Sequence, residues 1–158
     1  MKIIIIFLVF LGLSTNINLA YGAASGNGQN TASGFYKSGK NLIIRAKKLE
    51  QKKKIQKAEV LYSKALTKLE KAYAKDKKNA DILNYLGFAL RKTGNFEKAE
   101  FYYLKGLELD AQHLGINEYL GELYVQTERI ELAKERLGVL SSCNCEEYEE
   151  LKELIEKN

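Results

Sequence analysis

Few side chains in this 158-residue sequence could do chemistry, and Cys143 and Cys145 stand out because one residue separates them. In an oxidising compartment such a pair tends to form a disulfide, and near a helix N-terminus a thiolate is stabilised. Three interpretations are open: turn cysteines that are partly buried or joined as a local disulfide, a redox-active pair, and a metal site. The spacing is not the C-x-x-C of a thioredoxin-like site. A metal would need further ligands, and His113 is the only histidine.

Signals for other catalytic chemistry are missing from the sequence. Gly26-Asn27-Gly28 precedes no strand-to-helix unit, which a phosphate-binding glycine-rich loop requires. The carboxylates of Glu146, Glu147, Glu149 and Glu150 are predicted to lie on the solvated face of a helix, whereas an enzyme needs buried, perturbed carboxylates in a cleft. We therefore predict that the protein is not an enzyme and uses no cofactor and no metal.

The N-terminal segment has the layout of a secretory signal. Lys2 precedes an apolar run over residues 3–13, and small residues follow, with Ala20 and Gly22 at the −3 and −1 positions of a cleavage site. The run is shorter than the roughly 20 residues that span a bilayer, although an uncleaved anchor remains the alternative. We predict a signal peptide over residues 1–22 and a periplasmic or secreted protein. An exported protein would seldom meet nucleic acid, so nucleic acid is not an expected partner.

A change in composition separates this segment from the folded part. Residues 23–38 are mostly Gly, Ser, Asn and Ala, with little to bury, and are interpreted as a flexible tether. The folded domain is predicted over residues 39–157.

A 34-residue period organises the predicted domain. Leu86-Gly87 recurs as Leu120-Gly121, and Ala99 recurs as Ala133. In each unit a Leu, a Gly and a large residue line one side of a first helix, and the Gly lets a second helix approach closely. The Ala, placed four residues before a large residue, does the same from the second helix. The residues expected to pack the repeats in this way are Leu83, Leu86, Gly87, Ala99, Tyr103, Leu120, Gly121, Tyr124, Ala133, Leu137, Ala58 and Tyr62.

A less regular unit precedes these two. Ala58-x3-Tyr62 has the pattern of a second helix, and Ala46 stands at the glycine position of the matching first helix. Ala58 and Ala99 are 41 residues apart, which exceeds the period by seven residues, or two helical turns. We therefore predict that the second helix of this first unit is two turns longer and ends near Lys75.

These motifs and their period resemble the tetratricopeptide repeat family over residues 39–157. The resemblance implies an all-α, right-handed superhelical stack of about three helix hairpins, with repeats at 39–79, 80–113 and 114–143. A capping helix is predicted over residues 144–157, which would cover the stacking face of the last repeat. Asn144 and Glu147 form a predicted capping box. The apolar face of this capping helix is predicted to carry Tyr148, Leu151, Leu154 and Ile155. The chain is also similar to small exported repeat proteins of bacteria.

The resemblance also implies a function, because the first helices of such repeats line a concave face that binds peptides. The positions that correspond to this face, and are expected to contact a partner, are Lys47, Asn84, Phe88, Arg91, Lys92, Glu118, Glu122, Val125 and Gln126. The alternative for Phe88 is that its ring packs against a neighbouring repeat. Ile43 and Gly115 stand where the clamp for a C-terminal dicarboxylate would need lysine, so that ligand is not implied.

We therefore predict a non-catalytic protein–protein interaction scaffold or adaptor in the bacterial cell envelope, with another polypeptide as its partner. One alternative is a thiol-dependent redox protein of the envelope that uses Cys143 and Cys145. Another is a basic module that docks on anionic envelope surfaces.

Charge is divided between the two halves of the chain. Residues 37–78 contain 15 Lys/Arg and 4 Asp/Glu, a net charge of +11, whereas residues 79–158 contain 9 and 16, a net charge of −7. Three explanations compete for the basic half. It can be a solvated helical hairpin, it can be attracted to anionic lipid headgroups or wall polymer, or it can pair head-to-tail with the acidic end of another copy.

Overall fold

The computed structural model describes residues 28–158, and it consists of stacked helices. The predicted signal peptide and the first residues of the predicted tether lie outside this range. A 3₁₀ turn over Gly28–Asn30 is followed by seven helices, and the predicted all-α stack of three hairpins with a capping helix is confirmed. The helices are α1 (Ala32–Gln51), α2 (Ile55–Lys75), α3 (Ala80–Lys92), α4 (Phe96–Leu107), α5 (Leu114–Gln126), α6 (Ile130–Leu140) and α7 (Glu146–Glu156). Over residues 28–158, none of them combines the length and apolar character that a membrane crossing needs.

Four helices begin at a residue whose side chain accepts a hydrogen bond from the backbone N–H three residues later. Thr31 caps α1 in this way, Asn79 caps α3, Asn95 caps α4, and His113 caps α5 through Nδ1. Such caps satisfy backbone donors that the helix itself leaves unpaired. They explain why α3 and α5 start 34 residues apart, and they give His113 a structural role.

The last helix starts differently from the predicted capping box. Asn144 has a positive φ of 46°, and Cys145 is the N-cap residue of α7 without a side-chain cap hydrogen bond. The left-handed backbone at Asn144 places this residue outside the helix, so its side chain does not cap the first turn. The predicted pairing of Asn144 with Glu147 is therefore wrong.

The first hairpin is longer on both sides than the others. Helix α2 contains 21 residues and ends at Lys75, and α1 contains 20 residues and begins at Ala32, inside the predicted tether. Residues 32–38 are thus helical. The extra turns of α2 carry Leu69 and Ala72, which need apolar cover, and the antiparallel α1 extends over them. Leu69 and Ala72 are both completely buried.

The repeat-packing positions form most of the core. Eleven of the twelve residues predicted to pack the repeats are buried. At Gly87 an added Cβ would lie 2.6 Å from Cε1 of Tyr103, so the glycine is what allows α3 and α4 to approach. The exception is Leu137, which is only half-buried. At Gly121 the side chain that comes into contact is Leu151 of α7, so the capping helix occupies the space that the equivalence with Tyr103 assigned to Leu137.

The turn inside each hairpin contains one residue with left-handed backbone. These residues are Lys53 (φ 55°), Gly94 (φ 81°) and Glu128 (φ 60°), and each directly follows the C-cap residue of the first helix of its hairpin. Only one of the three is glycine, the residue that adopts this conformation without steric cost.

Candidate functional site

The face formed by the first helices α1, α3 and α5 is held together by aromatic contacts. The ring of Phe88 on α3 lies 5.9 Å from that of Tyr62 and 4.8 Å from that of Tyr119, measured between centroids. Phe88 is 3% exposed. The structure therefore supports the alternative interpretation of Phe88, in which its ring packs against neighbouring repeats.

Ion pairs join the same helices across this face. The Arg91 guanidinium lies 2.5 Å from the Glu122 carboxylate, joining α3 to α5, and Lys92 lies 2.7 Å from Glu50, joining α3 to α1. The Arg91 side chain is only 2% exposed. A buried cation needs an opposite charge at this distance, since losing its partner would leave an uncompensated charge in the interior. Arg91 thus stabilises the packing of α3 against α5 and is not part of an open binding surface.

The nine predicted partner-contacting residues consequently divide into three groups. Five are buried, which corrects the expectation that Asn84, Phe88, Arg91, Glu118 and Val125 lie on an open surface; of these, Asn84 and Glu118 also line a cleft. Lys92 and Glu122 are half-buried, and Lys47 and Gln126 are exposed. The resemblance to the repeat family placed all nine on one face. The spacing of residues does not indicate how closely successive first helices approach, and this approach covers the middle of that face.

A polar cleft of about 400 Å³ opens beside the aromatic contacts, at the ends where α3 and α5 begin. Lys40, Tyr85 and Tyr119 belong to its walls, and the loop before α5 contributes Gln112. The resemblance places Lys40 at a concave-face position of the first repeat, whereas Tyr85, Gln112 and Tyr119 occupy no repeat position associated with binding and were not predicted. The full lining is Lys40, Asp81, Asn84, Tyr85, Asp110, Gln112, His113, Leu114, Gly115, Glu118, Tyr119 and Glu147.

Asn84 is the unusual member of this cleft. Its Oδ1 atom is buried and has no hydrogen-bond partner among the described residues. Its Nδ2 atom lies close to Gly115, where an added Cβ would be 2.8 Å away. Buried polar atoms are almost always hydrogen-bonded, so this amide oxygen in the cleft wall is an exception among the described residues.

Three carboxylates meet where the capping helix α7 lies against α5. Carboxylate oxygens of Glu118 and Glu122 on α5 and Glu150 on α7 lie within 4.8 Å of one another. Burial, followed by a hydrogen bond with Glu150 and the charge of Glu122, raises the pKa of Glu118 to about 10. The cluster is therefore arranged to hold a proton. Glu150 is exposed, as predicted for the tail carboxylates, and its carboxylate also approaches those of Glu118 and Glu122.

The two cysteines are joined. Cys143 and Cys145 form a disulfide with their Cα atoms 5.2 Å apart, and no cysteine in residues 28–158 is free. The bond closes a small ring at the start of α7, whose N-cap is Cys145. This geometry corresponds to the local disulfide among the three interpretations of the pair.

Comparison with known proteins adds to this geometry. Residues 80–113 match the family model of the tetratricopeptide repeat. No curated protein matches the sequence. A thermophilic TPR protein of Thermus thermophilus is 18% identical with a TM-score of 0.64, over 81% of this chain and 63% of that one.

Two further solved structures share the arrangement of helices. A tetratricopeptide repeat protein of Parabacteroides merdae is 18% identical with a TM-score of 0.54, over 77% of this chain and 60% of that one. The second TPR domain of human RPAP3, solved in complex with an HSP70 peptide, is 19% identical with a TM-score of 0.51, over 80% of this chain and 99% of that domain. The chain thus spans less than two thirds of the Thermus and Parabacteroides proteins. At these identities the likeness is one of fold.

Proposed function

Because the chain carries a tetratricopeptide repeat within a fold of that kind, we propose that it is a non-catalytic scaffold or adaptor that binds another polypeptide on its concave face. The RPAP3 domain, which has a similar fold, was solved with a peptide bound. The observation that carries the proposal is the unpaired Asn84 amide oxygen in a cleft of about 400 Å³.

The cleft suits an extended peptide segment. Each peptide unit offers one N–H and one C=O, and the Asn84 amide can accept from the first and donate to the second. Tyr85 and Tyr119 provide ring surface on the cleft walls, and Lys40 supplies a cation near the rim. Binding would give Asn84 Oδ1 the hydrogen bond that it lacks in the free chain, and this gain is available only to a ligand that presents a donor at that point.

The location in the cell envelope is part of the proposal and is supported by the sequence alone. The charged residue, apolar run and small residues of the N-terminal segment have the order of a secretory signal. The proposed partner is accordingly a polypeptide of the bacterial envelope. A thiol-dependent role for Cys143 and Cys145 is not proposed, since no observation besides their mutual bond points to one.

Site-specific photocrosslinking tests this proposal. A photoreactive residue at exposed Gln112, beside the cleft, is compared in envelope fractions with one at Lys98 on α4, which is exposed and does not line the cleft. We expect a polypeptide that crosslinks from position 112 and not from position 98. Asn84→Ala should weaken its capture about two- to tenfold, the range expected for one hydrogen bond.

Two glycine variants provide a matched control. Gly115→Ala places a methyl group against Asn84 Nδ2, whereas an added Cβ at Gly138 on α6 meets nothing within 4 Å. Gly115→Ala should reduce the crosslink and Gly138→Ala should leave it unchanged. Equal crosslinking from positions 112 and 98, or full capture by both Asn84→Ala and Gly115→Ala, would reject this cleft as the binding site.

A further inference from the structure

Two adjoining clefts run along the first hairpin, on a surface that the peptide-binding proposal does not use. Their volumes are about 610 and 480 Å³, and they share Ser38 and Asn41 of α1 and Lys68 of α2. We call the combined depression the basic groove. Of the described residues that line it, four are cations and none is a carboxylate. The lining is Gly28, Ser33, Gly34, Phe35, Lys37, Ser38, Asn41, Leu42, Arg45, Lys64, Thr67 and Lys68.

Helical spacing arranges these residues in two facing rows. On α1 the row is Ser38, Asn41 and Arg45, and on α2 it is Lys64, Thr67 and Lys68, so both rows follow one side of their helix. Residues three or four positions apart occupy one face of a helix. Four residues correspond to about 6 Å along the axis, so cationic and hydrogen-bonding side chains alternate along the groove at short intervals.

The cations of the basic groove have no carboxylate partners among the described residues, although Lys68 lies over the ring of Phe35. Over residues 28–158, Lys37, Arg45, Lys64 and Lys68 take part in no ion pair. Elsewhere the chain does pair its cations across helices, for example Arg129 with Glu100 through two hydrogen bonds of 2.9 and 2.8 Å. Four cations that face one depression without a carboxylate repel one another, and an anion in the groove would remove that repulsion.

We propose that the basic groove binds a linear anion that bears several phosphate groups. The Arg45 guanidinium and the lysine ammonium groups provide charge, and guanidinium groups match phosphate oxygens with paired N–H donors. The hydroxyl group of Ser38 and the amide of Asn41 supply further donors between the cations. Because the rows run along the helices, successive phosphates of a chain meet successive cations. This function is independent of the peptide-binding cleft.

The lining favours a phosphate chain over nucleic-acid bases. Single-stranded nucleic acids are bound by aromatic platforms on which bases stack. Phe35 is the only aromatic residue among those that line the groove, and the ammonium groups of Lys68 and Lys71 lie 5.9 and 5.8 Å from its ring centroid. Cations therefore cover the face of this ring, which leaves it unsuited to stack on a base. The basic groove is suited instead to bind the charged oxygen atoms of phosphates.

Titration of the full chain with a short linear polyphosphate tests the proposal. The groove variant combines three substitutions: Arg45→Gln, Lys64→Gln and Lys68→Gln. The control variant combines Lys57→Gln, Lys77→Gln and Lys78→Gln. The control residues are exposed, belong to the same basic half and do not line the basic groove. Both variants lose three charges. We expect the groove variant to lose about tenfold or more in affinity and the control variant about twofold or less.

Additional ligands identify the chemistry and its source. Inorganic phosphate alone should bind much more weakly than the linear polyphosphate, because it reaches fewer cations. Vesicles that contain phosphatidylglycerol serve as a separate arm. Binding to them that depends on the same three groove residues assigns the phosphates to a lipid surface, and binding of polyphosphate only assigns them to a soluble polymer. Either outcome supports the groove.

Three results would overturn the inference. Equal losses in the two triple variants would show that the whole basic half attracts anions without a defined site. Binding of polyglutamate as tightly as polyphosphate, with the same dependence on the groove, would reject the phosphate assignment. No binding of polyphosphate at low ionic strength, where such attraction is strongest, would reject the site altogether. Unfolding curves of both variants should stay close to wild type, since surface substitutions change stability little.

Discussion

Gly39 of α1 lies against Leu69 of α2 so closely that an added Cβ would be 2.7 Å from the Leu69 Cγ atom. This contact joins the turns by which both helices of the first hairpin exceed those of the other two. It resembles the contact of Gly87 with Tyr103 in the second hairpin, although Gly39 stands outside the 34-residue pattern. The first hairpin is therefore closed at its extension by a glycine of its own.

Substituting Gly39 tests whether this contact holds the extended hairpin together. Gly39→Leu should lower the free energy of unfolding by about 1–3 kcal/mol, because the new side chain must displace a buried branch point of Leu69 and the backbone oxygen of Ala65 lies 3.4 Å away. Urea unfolding measures the change. Gly138→Leu, at an exposed helical site, is the matched control and should not destabilise the protein. Equal stability of both variants would contradict the contact.

Phe88 tests whether the aromatic contacts of α3 with the neighbouring helices stabilise the stack. Phe88→Ala should destabilise the protein by about 3–5 kcal/mol, the usual cost of removing a buried ring, because it leaves a cavity between Tyr62 and Tyr119. Phe101→Ala, at a ring that is 57% exposed, should change stability by about 0.5 kcal/mol or less. Thermal and urea unfolding of the pair give the comparison. A Phe88→Ala variant as stable as wild type would mean that the ring is free to contact a partner.

Glu118 should make stability depend on pH. Its pKa is raised from the ordinary 4.5 to about 10, mainly by burial and then by Glu150 and Glu122, while Lys47 acts in the opposite direction. The folded state keeps this proton at pH values where the unfolded state has lost it. The contribution of Glu118 to the free energy of unfolding is therefore greatest below pH 4.5 and falls as pH rises towards 10.

Glu118→Gln removes this titration while keeping a polar side chain of similar size. We expect its free energy of unfolding to decline less between about pH 5 and pH 9 than that of wild type, measured by urea unfolding at several pH values. Glu149→Gln changes an exposed carboxylate on α7 and should leave the wild-type slope in place. An identical slope in Glu118→Gln and wild type is the outcome that rejects this role.

The disulfide at the start of α7 should stabilise that helix locally. Replacing Cys143 and Cys145 by serine opens a very short loop, for which the chain-entropy argument gives about 1–2 kcal/mol. Hydrogen exchange should accelerate in α7 and change little in α3, which the bond does not touch. Alkylation of the unreduced protein checks the bond itself: rapid labelling of both thiols would show that the cysteines are reduced.

The 34-residue period was sufficient to predict the second and third hairpins. Repeated Leu-Gly and Ala positions are packing requirements, so they determine which helix faces meet, and Leu83, Ala99 and Leu120 are buried as expected. The start of α1 was missed because residues 32–38 continue the Gly- and Ser-rich composition of the segment before them. Their helix is required by what they cover on α2, and this requirement is visible only when the two helices are paired.

The candidate site was less predictable than the fold. Repeat positions indicated which residues share the concave face, but exposure depends on how far successive first helices close upon one another. Phe88 and Arg91 became buried because Tyr119 and Glu122 approach from the next repeat. The basic half was evident from composition, whereas the basic groove needed the register of α1 on α2. Contacts of this kind join residues that are far apart in the sequence, so they cannot be recognised from the spacing of residues within one helix.

The left-handed turns distinguish the middle hairpin from the outer two. Gly94 adopts its conformation at no steric cost, whereas Lys53 and Glu128 hold the same conformation with a side chain attached. The outer two hairpins therefore store backbone strain that the middle one lacks. Glycine at position 53 or 128 would adopt the same turn without that strain, as Gly94 does in the middle hairpin.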